Sequence, residues 1–356
     1  MEQLRNGEEH IESQRSLWLA NDLKHESSWV KVLNEKERLE LEYALDNARS
    51  TFYQGTMLHS DFPLVSLTNV IQSLVGGVEN GRGVALIRGI GNHEWELDDY
   101  QVALWGIGLN IGTAVPQSRK GDRIGFVCDK GSDINIPTNR GYESNATLPF
   151  HSDRSDVTAL LCVNKAIEGG ETGIVSMMAV HRELHLNYPH LLEALYKGLP
   201  HDRRGEQRQG ESPWTNLPVF SYREGVFVAR YIRRFVEGAM RFPDAPRLTK
   251  KQIQALDILD HILENPRFSY WFTLKPGDLL LLNNHVVAHS RKSFVDSKNY
   301  ERRRILLRLW LATPKSRQLP LEFLPLFGAI LPGEVRGGVF ADDMLLENNS
   351  KHWRIK

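Results

Sequence analysis

The sequence predicts a mainly β protein with flanking helices, rolled into a jelly roll. Three observations point there. Short apolar runs of strand length recur along the chain, separated by Gly, Pro, Asn and Asp turn signals. Segments of helical period wrap these runs instead of alternating with them. No G-x-G-x-x-G turn is present, so a doubly wound parallel sheet lacks its phosphate-binding signature.

The chain has 356 residues, within reach of one large α/β or β domain with insertions. Lys plus Arg (44) equals Asp plus Glu (44), which gives no reason to expect a nucleic-acid or membrane surface. No apolar run is long enough for a transmembrane helix. The polar start, MEQLRNGEEHIESQ, does not read as a secretory or mitochondrial presequence. The two cysteines, Cys128 and Cys162, sit in apolar runs and read as buried thiols, which fits a reducing cytoplasm.

Residues 1–80 read as a helical N-terminal extension. Trp29 to Ala48 and Leu67 to Val75 carry apolar residues at helical intervals. Val84 to Ile87 is a buried strand, and Tyr100 to Gly112 a helix ending at glycine. Thr113 to Thr147 is a long polar connection with one strand, Ile124 to Cys128. Its place just before the His151-x-Asp153 run suggests a wall of a binding site. Strands follow at Val157 to Val163 and Ile174 to Met177, then a helix from Pro189 to Tyr196. Leu199 to Pro218 reads as a flexible insertion. Val219 to Ala229 reads as a hairpin. Thr249-Lys250-Lys251-Gln252 is a capping box, opening a helix with Ile253, Leu256, Leu259, Ile262 and Leu263 on one side. The turn Lys275-Pro276-Gly277-Asp278 feeds the strand Leu279 to Leu282. Strands at Val286 to His289 and Ile305 to Ala312 complete the set. The core is expected over 81–315, with an insertion around 178–270. Residues 316–356 read as a loop-rich tail over the surface.

The chemistry centres on LPFHSDRSD. In an extended chain His151 and Asp153 face the same way, as two neighbouring ligands of a small cation. One carboxylate and two imidazoles make the facial set of non-haem Fe(II) oxygenases. The second imidazole is expected from a strand across the barrel. His289 is preferred, with His285 as rival four residues earlier. His181, His185, His190, His201 and His261 read as solvated. In Arg304 to Leu311, alternation places Arg304, Leu306, Arg308 and Trp310 on one face. Two arginines there are costly unless paired with anions. Their Cα atoms stand roughly 13 Å apart, enough for a cosubstrate and a substrate on either side of a metal.

Taken together, His151-x-Asp153, Gly169-Gly170-Glu171-Thr172, Pro276-Gly277-Asp278, His289-Ser290-Arg291, Arg304 and Arg308 resemble the taurine dioxygenase / clavaminate synthase (TauD/TfdA) family of Fe(II)- and 2-oxoglutarate-dependent oxygenases. The likeness spans roughly residues 80–315. It implies a double-stranded β-helix. It also implies iron at His151, Asp153 and His289, which decides against His285. It implies Thr172 and Arg304 on 2-oxoglutarate, and Arg308 on the acidic group of the substrate. O2 would be the oxidant, with succinate and CO2 released. A ligating Asp153 favours hydroxylation over halogenation; desaturation or cyclisation would use the same ligands. Around Thr113 to Ser118 the substrate-binding His and Tyr of the taurine enzyme have no counterparts, and Gln117 stands there instead, so taurine is not the expected substrate. Arg154 either reaches the same pocket or pairs with Asp156 at the surface. The expected substrate is a small carboxylate, an amino acid or a metabolite built from one. The rival readings are a non-catalytic metal-binding jelly roll and a metal-dependent hydrolase. The first would not need Arg304 buried beside the ligands, and the second would need a general base near the metal, where none stands out. A homo-oligomer is compatible with the sequence, which does not speak to assembly.

Overall fold

The structure is a computed structural model that describes residues 15–340 except 54, 135, 137, 138 and 224. The helices are α1 (Ala20–His25), α2 (Glu35–Tyr53), α3 (Ser66–Asn80), α4 (Leu97–Leu109), α5 (Met177–Asn187), α6 (Pro189–Tyr196), α7 (Arg233–Gly238), α8 (Lys250–Glu264) and α9 (Leu324–Phe327). The strands begin with β1 (Val30–Val32), β2 (Val84–Arg88), β3 (Thr113–Ala114), β4 (Ile124–Val127), β5 (Leu148–His151) and β6 (Val157–Asn164). Next come β7 (Glu168–Gly169), β8 (Thr172–Ser176), β9 (Leu199–Asp202), β10 (Trp214–Leu217), β11 (Phe220–Arg223) and β12 (Val226–Ala229). The last are β13 (Tyr270–Phe272), β14 (Leu279–Asn283), β15 (Val287–Arg291), β16 (Phe294–Val295) and β17 (Ile305–Ala312).

Two sheets face each other. The larger runs β1-β2-β14-β6-β17-β3, with β4 also on β17, and the smaller runs β13-β8-β15-β5. Alternation sorts the large sheet's side chains. Ile87, Leu161, Leu281, Leu307 and Leu309 pack outward under α2, α3 and α4. Leu86, Leu160, Leu280 and Leu306 point inward, toward Ile174 and Phe150 of the small sheet and toward α5, α6 and α8. The pattern expected of β17 is therefore observed. Its odd-numbered leucines lie under the helices, and Arg304, Leu306, Arg308 and Trp310 face a cavity between the sheets.

The local signals hold where turn chemistry is explicit. Thr249 accepts from the Gln252 N–H at 3.2 Å while Gln252 Oε1 accepts from the Thr249 N–H at 2.9 Å, closing the capping box of α8. Ile253, however, is exposed; Ala255 takes its place on the buried face. Gly277 turns the chain into β14 at φ +81°, where a Cβ would stand 2.5 Å from the Ile90 carbonyl oxygen.

Four expectations need correction. Trp29 to Ala48 is not one helix: β1 pairs in parallel with β2 before α2 begins. Its three residues alternate too briefly to stand out from the helical pattern that follows. The segment from Leu199 to Pro218 is a paired ribbon, β9 on β10, whose β9 residues are all buried. The tail beyond residue 316 is not merely a cover. Arg336 is buried and reaches back to Asp156, and Phe323, Leu326 and Phe327 form a small core with Leu217 and Val228. Two histidines read as solvated are buried. His181 sits among the rings of Tyr196, Phe220 and Phe227, where burial pushes it down to about 3. His201 is buried beside Phe235.

Candidate active site

β5 and β15 are neighbours, and His151 stands opposite His289 in their register. Directly opposed residues share a face of the sheet, and the two ring centroids lie 4.3 Å apart. The second imidazole thus comes from the adjacent strand, distant in sequence but not across the barrel as expected. Asp153 lies just past the end of β5. The chain stays extended there because His151 bridges Ile232 and the Ser152 N–H donates to the Tyr231 carbonyl at 2.9 Å. One ligand atom from each of His151, Asp153 and His289 lies within 4.8 Å of the others.

The donor set suits a divalent ion. His151 Nδ1–H donates to the Pro149 carbonyl at 2.8 Å, which leaves Nε2 with its lone pair free. Burial holds both imidazoles neutral: His151 falls below its ordinary value, and His289, with His151 beside it, falls to about 3. Burial alone would raise the Asp153 carboxyl, but the Arg308 guanidinium beside it holds it well below the usual carboxylate range. His289 Nε2 and Asp153 Oδ2 are 3.8 Å apart, too far to hydrogen-bond, so neither atom is engaged by the other. Three donors that do not pair with one another, one anionic and two neutral, fit Fe(II) and leave the rest of its coordination sphere to small molecules.

Asp153 is fixed from behind. Thr158 Oγ1 donates to its Oδ2 at 3.0 Å, and its own N–H donates to Asn284 Oδ1 at 3.0 Å. Arg308 Nη1 lies 3.4 Å from both carboxylate oxygens.

The three residues open on a cavity of about 460 Å³, whose lining includes Thr172, Arg304, Arg308 and Arg154. Thr172 begins β8, opposite Arg291 of β15. Arg304 is buried, its Nη1 has no hydrogen-bond partner, and its guanidinium lies 5.0 Å from the Phe294 ring. Gly170, at φ +73°, keeps the space beside the Arg304 Nε open; a Cβ there would be 3.1 Å away. Arg308 is sandwiched between Tyr142 and Trp310, 4.6 and 4.7 Å from the ring centroids.

Two substrate-residue expectations change. Gln117 does not line the cavity. Its Oε1 accepts from Arg308 Nε at 2.6 Å, and its Nε2 donates to the carbonyls of Arg308 and Arg123, so it stands behind Arg308 with its amide engaged. Arg154 does line the cavity but is buried, and it pairs with Glu206 at 3.0 Å instead of Asp156. Asp156 belongs to His285 and Arg336, at 2.9 and 2.8 Å, which also explains why His285 is no metal ligand.

Sequence reasoning missed Arg230, His201, Arg204 and Glu206, all on the cavity wall. One signal was available: Arg230 follows the apolar run Val226 to Ala229 directly, as Arg304 precedes its own.

A facial pair of imidazoles with one carboxylate, opening on a cavity that holds a buried unpaired guanidinium, defines the class of 2-oxoglutarate-dependent non-haem iron oxygenases. The chain belongs to the taurine catabolism dioxygenase TauD, TfdA family, whose family model matches residues 54–310. It is 33% identical over 316 residues to FR-33289 synthase of Streptomyces rubellomurinus, covering 86% of this chain and 91% of the relative. Among solved structures it resembles asparagine oxygenase in complex with Fe(II), (2S,3S)-3-hydroxyasparagine and succinate. There the TM-score is 0.61 at 15% identity, over 80% of this chain and 94% of that one. The non-haem iron oxygenase OrfP, in complex with Fe and alpha-ketoglutaric acid, gives a TM-score of 0.60 at 14% identity, over 80% and 93%. The double-stranded β-helix expected from the sequence is thus the fold observed. The chain is a 2-oxoglutarate-dependent dioxygenase that uses Fe(II), 2-oxoglutarate and O2. No helix among the described residues is long and apolar enough to cross a membrane.

Proposed function

We propose that this enzyme hydroxylates an unactivated C–H bond of a small anionic substrate, an amino acid or a derivative of one. A carboxylate is the anionic group expected from the sequence. The observation that carries the reading is the pairing of the His151, Asp153 and His289 donor set with a buried cationic wall in one cavity. Bound Fe(II) supplies the redox chemistry that couples decarboxylation of 2-oxoglutarate to oxidation of the C–H bond.

The residues divide the remaining work. His151, Asp153 and His289 hold the metal, with Thr158 and Asn284 fixing the carboxylate's rotamer. Arg304 and Thr172 take the distal carboxylate of 2-oxoglutarate. Arg304 suits this because its Nη1 is buried without a partner, and a carboxylate completes it. Val127, Leu160 and Leu306 wall the same space and suit the methylene chain. Arg308 keeps Asp153 ionised. Its Nε and Nη1 are engaged, which leaves Nη2 for an anion on the substrate side.

The test is anaerobic. Adding Fe(II) and then 2-oxoglutarate should produce a weak visible charge-transfer band, and admitting O2 with a panel of acidic amino-acid derivatives should give succinate coupled to one of them. Absence of the band under saturating 2-oxoglutarate would remove the reading.

A further inference from the structure

The wall opposite the 2-oxoglutarate residues is more cationic than a carboxylate requires. We propose that it is a subsite for a tetrahedral dianion, the phosphonate or phosphate-monoester group of the substrate, gripped by Arg154, Arg230 and Arg204 with Arg140 at the rim. The proposal rests on the cavity's being the substrate site of the dioxygenase, and it names the acid the substrate carries.

Charge comes first. Four guanidinium groups meet here against one carboxylate. Glu206 is shared, pairing with Arg140 through one oxygen and with Arg154 through the other. Asp202 is close but already engaged: both its oxygens accept from Arg241, and Oδ1 also accepts from the Arg204 N–H. Buried cations in excess of their counter-ions are costly unless an anion joins them. A carboxylate removes one unit of that excess and a phospho dianion removes two.

Geometry agrees. Arg154 and Arg230 are each 5% exposed. Arg230 Nη1 donates to the Asp153 carbonyl at 3.1 Å, so the subsite starts at the backbone of a proposed metal ligand. Its Nε has no partner, and neither does Nε2 of the buried His201 beside it. Burial and the flanking Arg230 and Arg154 hold His201 well below its ordinary value, so it is neutral and has one N–H to offer. Arg204 is the only non-glycine among the described residues with a positive φ, at +56°. That left-handed conformation is strained for any residue with a Cβ. It is held by the Arg204 N–H donating to Asp202 at 2.7 Å, and it places the guanidinium 4.9 Å from the Phe235 ring, facing the same cavity. Planar guanidinium forks match the oxygens of a phospho group in pairs.

Because Arg230 touches Asp153 directly, the bond to be oxidised lies only a few atoms from the phosphorus. A compact substrate fits beside the cosubstrate in this volume.

Four probes of equal length separate charge from shape: propylphosphonate, ethyl phosphate, propanesulfonate and butyrate. Each would be titrated by calorimetry into the metal-free protein at pH 9.5, where the first two are both dianions. The expected result is at least tenfold tighter binding of propylphosphonate or ethyl phosphate than of the other two. Whichever of the pair binds tighter identifies a phosphonate or a phosphate ester. Arg154→Met and Arg230→Met, checked for folding by thermal melting, should each abolish the preference. Equal binding of sulfonate or butyrate, or no binding by any probe, overturns the proposal. Since the Fe(II) and 2-oxoglutarate band is read separately, a protein that forms the band but ignores the dianions loses this subsite and keeps its proposed chemistry.

Discussion

Asp153 and Asp156 stand three residues apart, and each meets a histidine and an arginine, yet they do different work. Asp156 is closed on every side. His285 Nε2 lies 2.9 Å from its Oδ1, Arg336 Nε and Nη2 reach the same oxygen, and the Thr313 N–H donates to Oδ2 at 3.2 Å. No oxygen of that carboxylate is left for a cation. Asp153 has the same neighbours at looser range, with His289 at 3.8 Å and Arg308 at 3.4 Å, and a second imidazole takes the place of a closing guanidinium. The lesson is that residue type does not make a metal site; donor atoms that converge on one point without closing on one another do. Both carboxylates sit below the ordinary range, because cations outweigh burial at each, so titration alone would not tell them apart.

Substitutions at the two sites should therefore give opposite phenotypes. His289→Ala should lower succinate formation on the order of a thousandfold or more, a loss of about 4 kcal/mol of transition-state stabilisation, and erase the charge-transfer band. Its stability in urea should stay within about 1 kcal/mol of the parent, since His289 Nδ1 has no partner to lose. Asp156→Asn should do the reverse. It leaves Arg336 buried beside a neutral amide and should cost about 3–5 kcal/mol in urea unfolding, while the folded fraction still forms the band. If Asp156→Asn abolished the band with stability unchanged, the two sites would have been assigned the wrong way round.

The closed cluster and the open one also differ in how far the sequence announces them. His151, Asp153, Arg304 and Arg308 were legible because extended chain has a period of two and each lies in or beside a short apolar run; by that period His289 shares a strand face with His285, and only the family resemblance separated the two. The helices that cap or punctuate themselves were legible too, as α8 shows. Arg336 was not, because nothing in a proline-broken tail says that it returns across 180 residues to Asp156. Arg204, Glu206 and His201 were hidden in a ribbon without apolar alternation; β9 reads Leu-Pro-His-Asp and is buried throughout. Zero net charge concealed the most informative property of the cavity, ten arginines against six acidic residues on its described wall. Charge segregates by packing, which no running sum along a chain records.

Acid titration sharpens the contrast inside the closed cluster. Burial holds His285 down at about 4, so between there and its unfolded value near 6.5 the unfolded chain binds the extra proton and stability rises with pH. Glu79, across Thr313 from Asp156, is pushed up by burial to about 7. Its sign is opposite: the stability from its raised value is full below its ordinary 4.5 and is lost as pH rises through 7. The two cancel over much of the range from 4.5 to 6.5. Glu79→Gln removes one of them. Relative to the parent, the variant should gain about 1.4 kcal/mol per pH unit between pH 5 and 7, read from urea midpoints. A parallel pair of curves would mean Glu79 is ionised in the fold.

The smallest effect separates positioning from contact at the open site. Gln117→Leu keeps the volume but strips the acceptor from Arg308 Nε and the donor shared by two backbone carbonyls. Leaving such groups dry costs about 1–3 kcal/mol of stability. Arg308 keeps its hold on Asp153, so kcat should change little while the KM for the substrate rises about three- to tenfold as the guanidinium loosens. A residue that touched the substrate instead would raise KM with the melting temperature unmoved. Measuring both on one preparation decides between the two, and a KM effect without a stability effect would return Gln117 to the cavity wall from which the structure removes it.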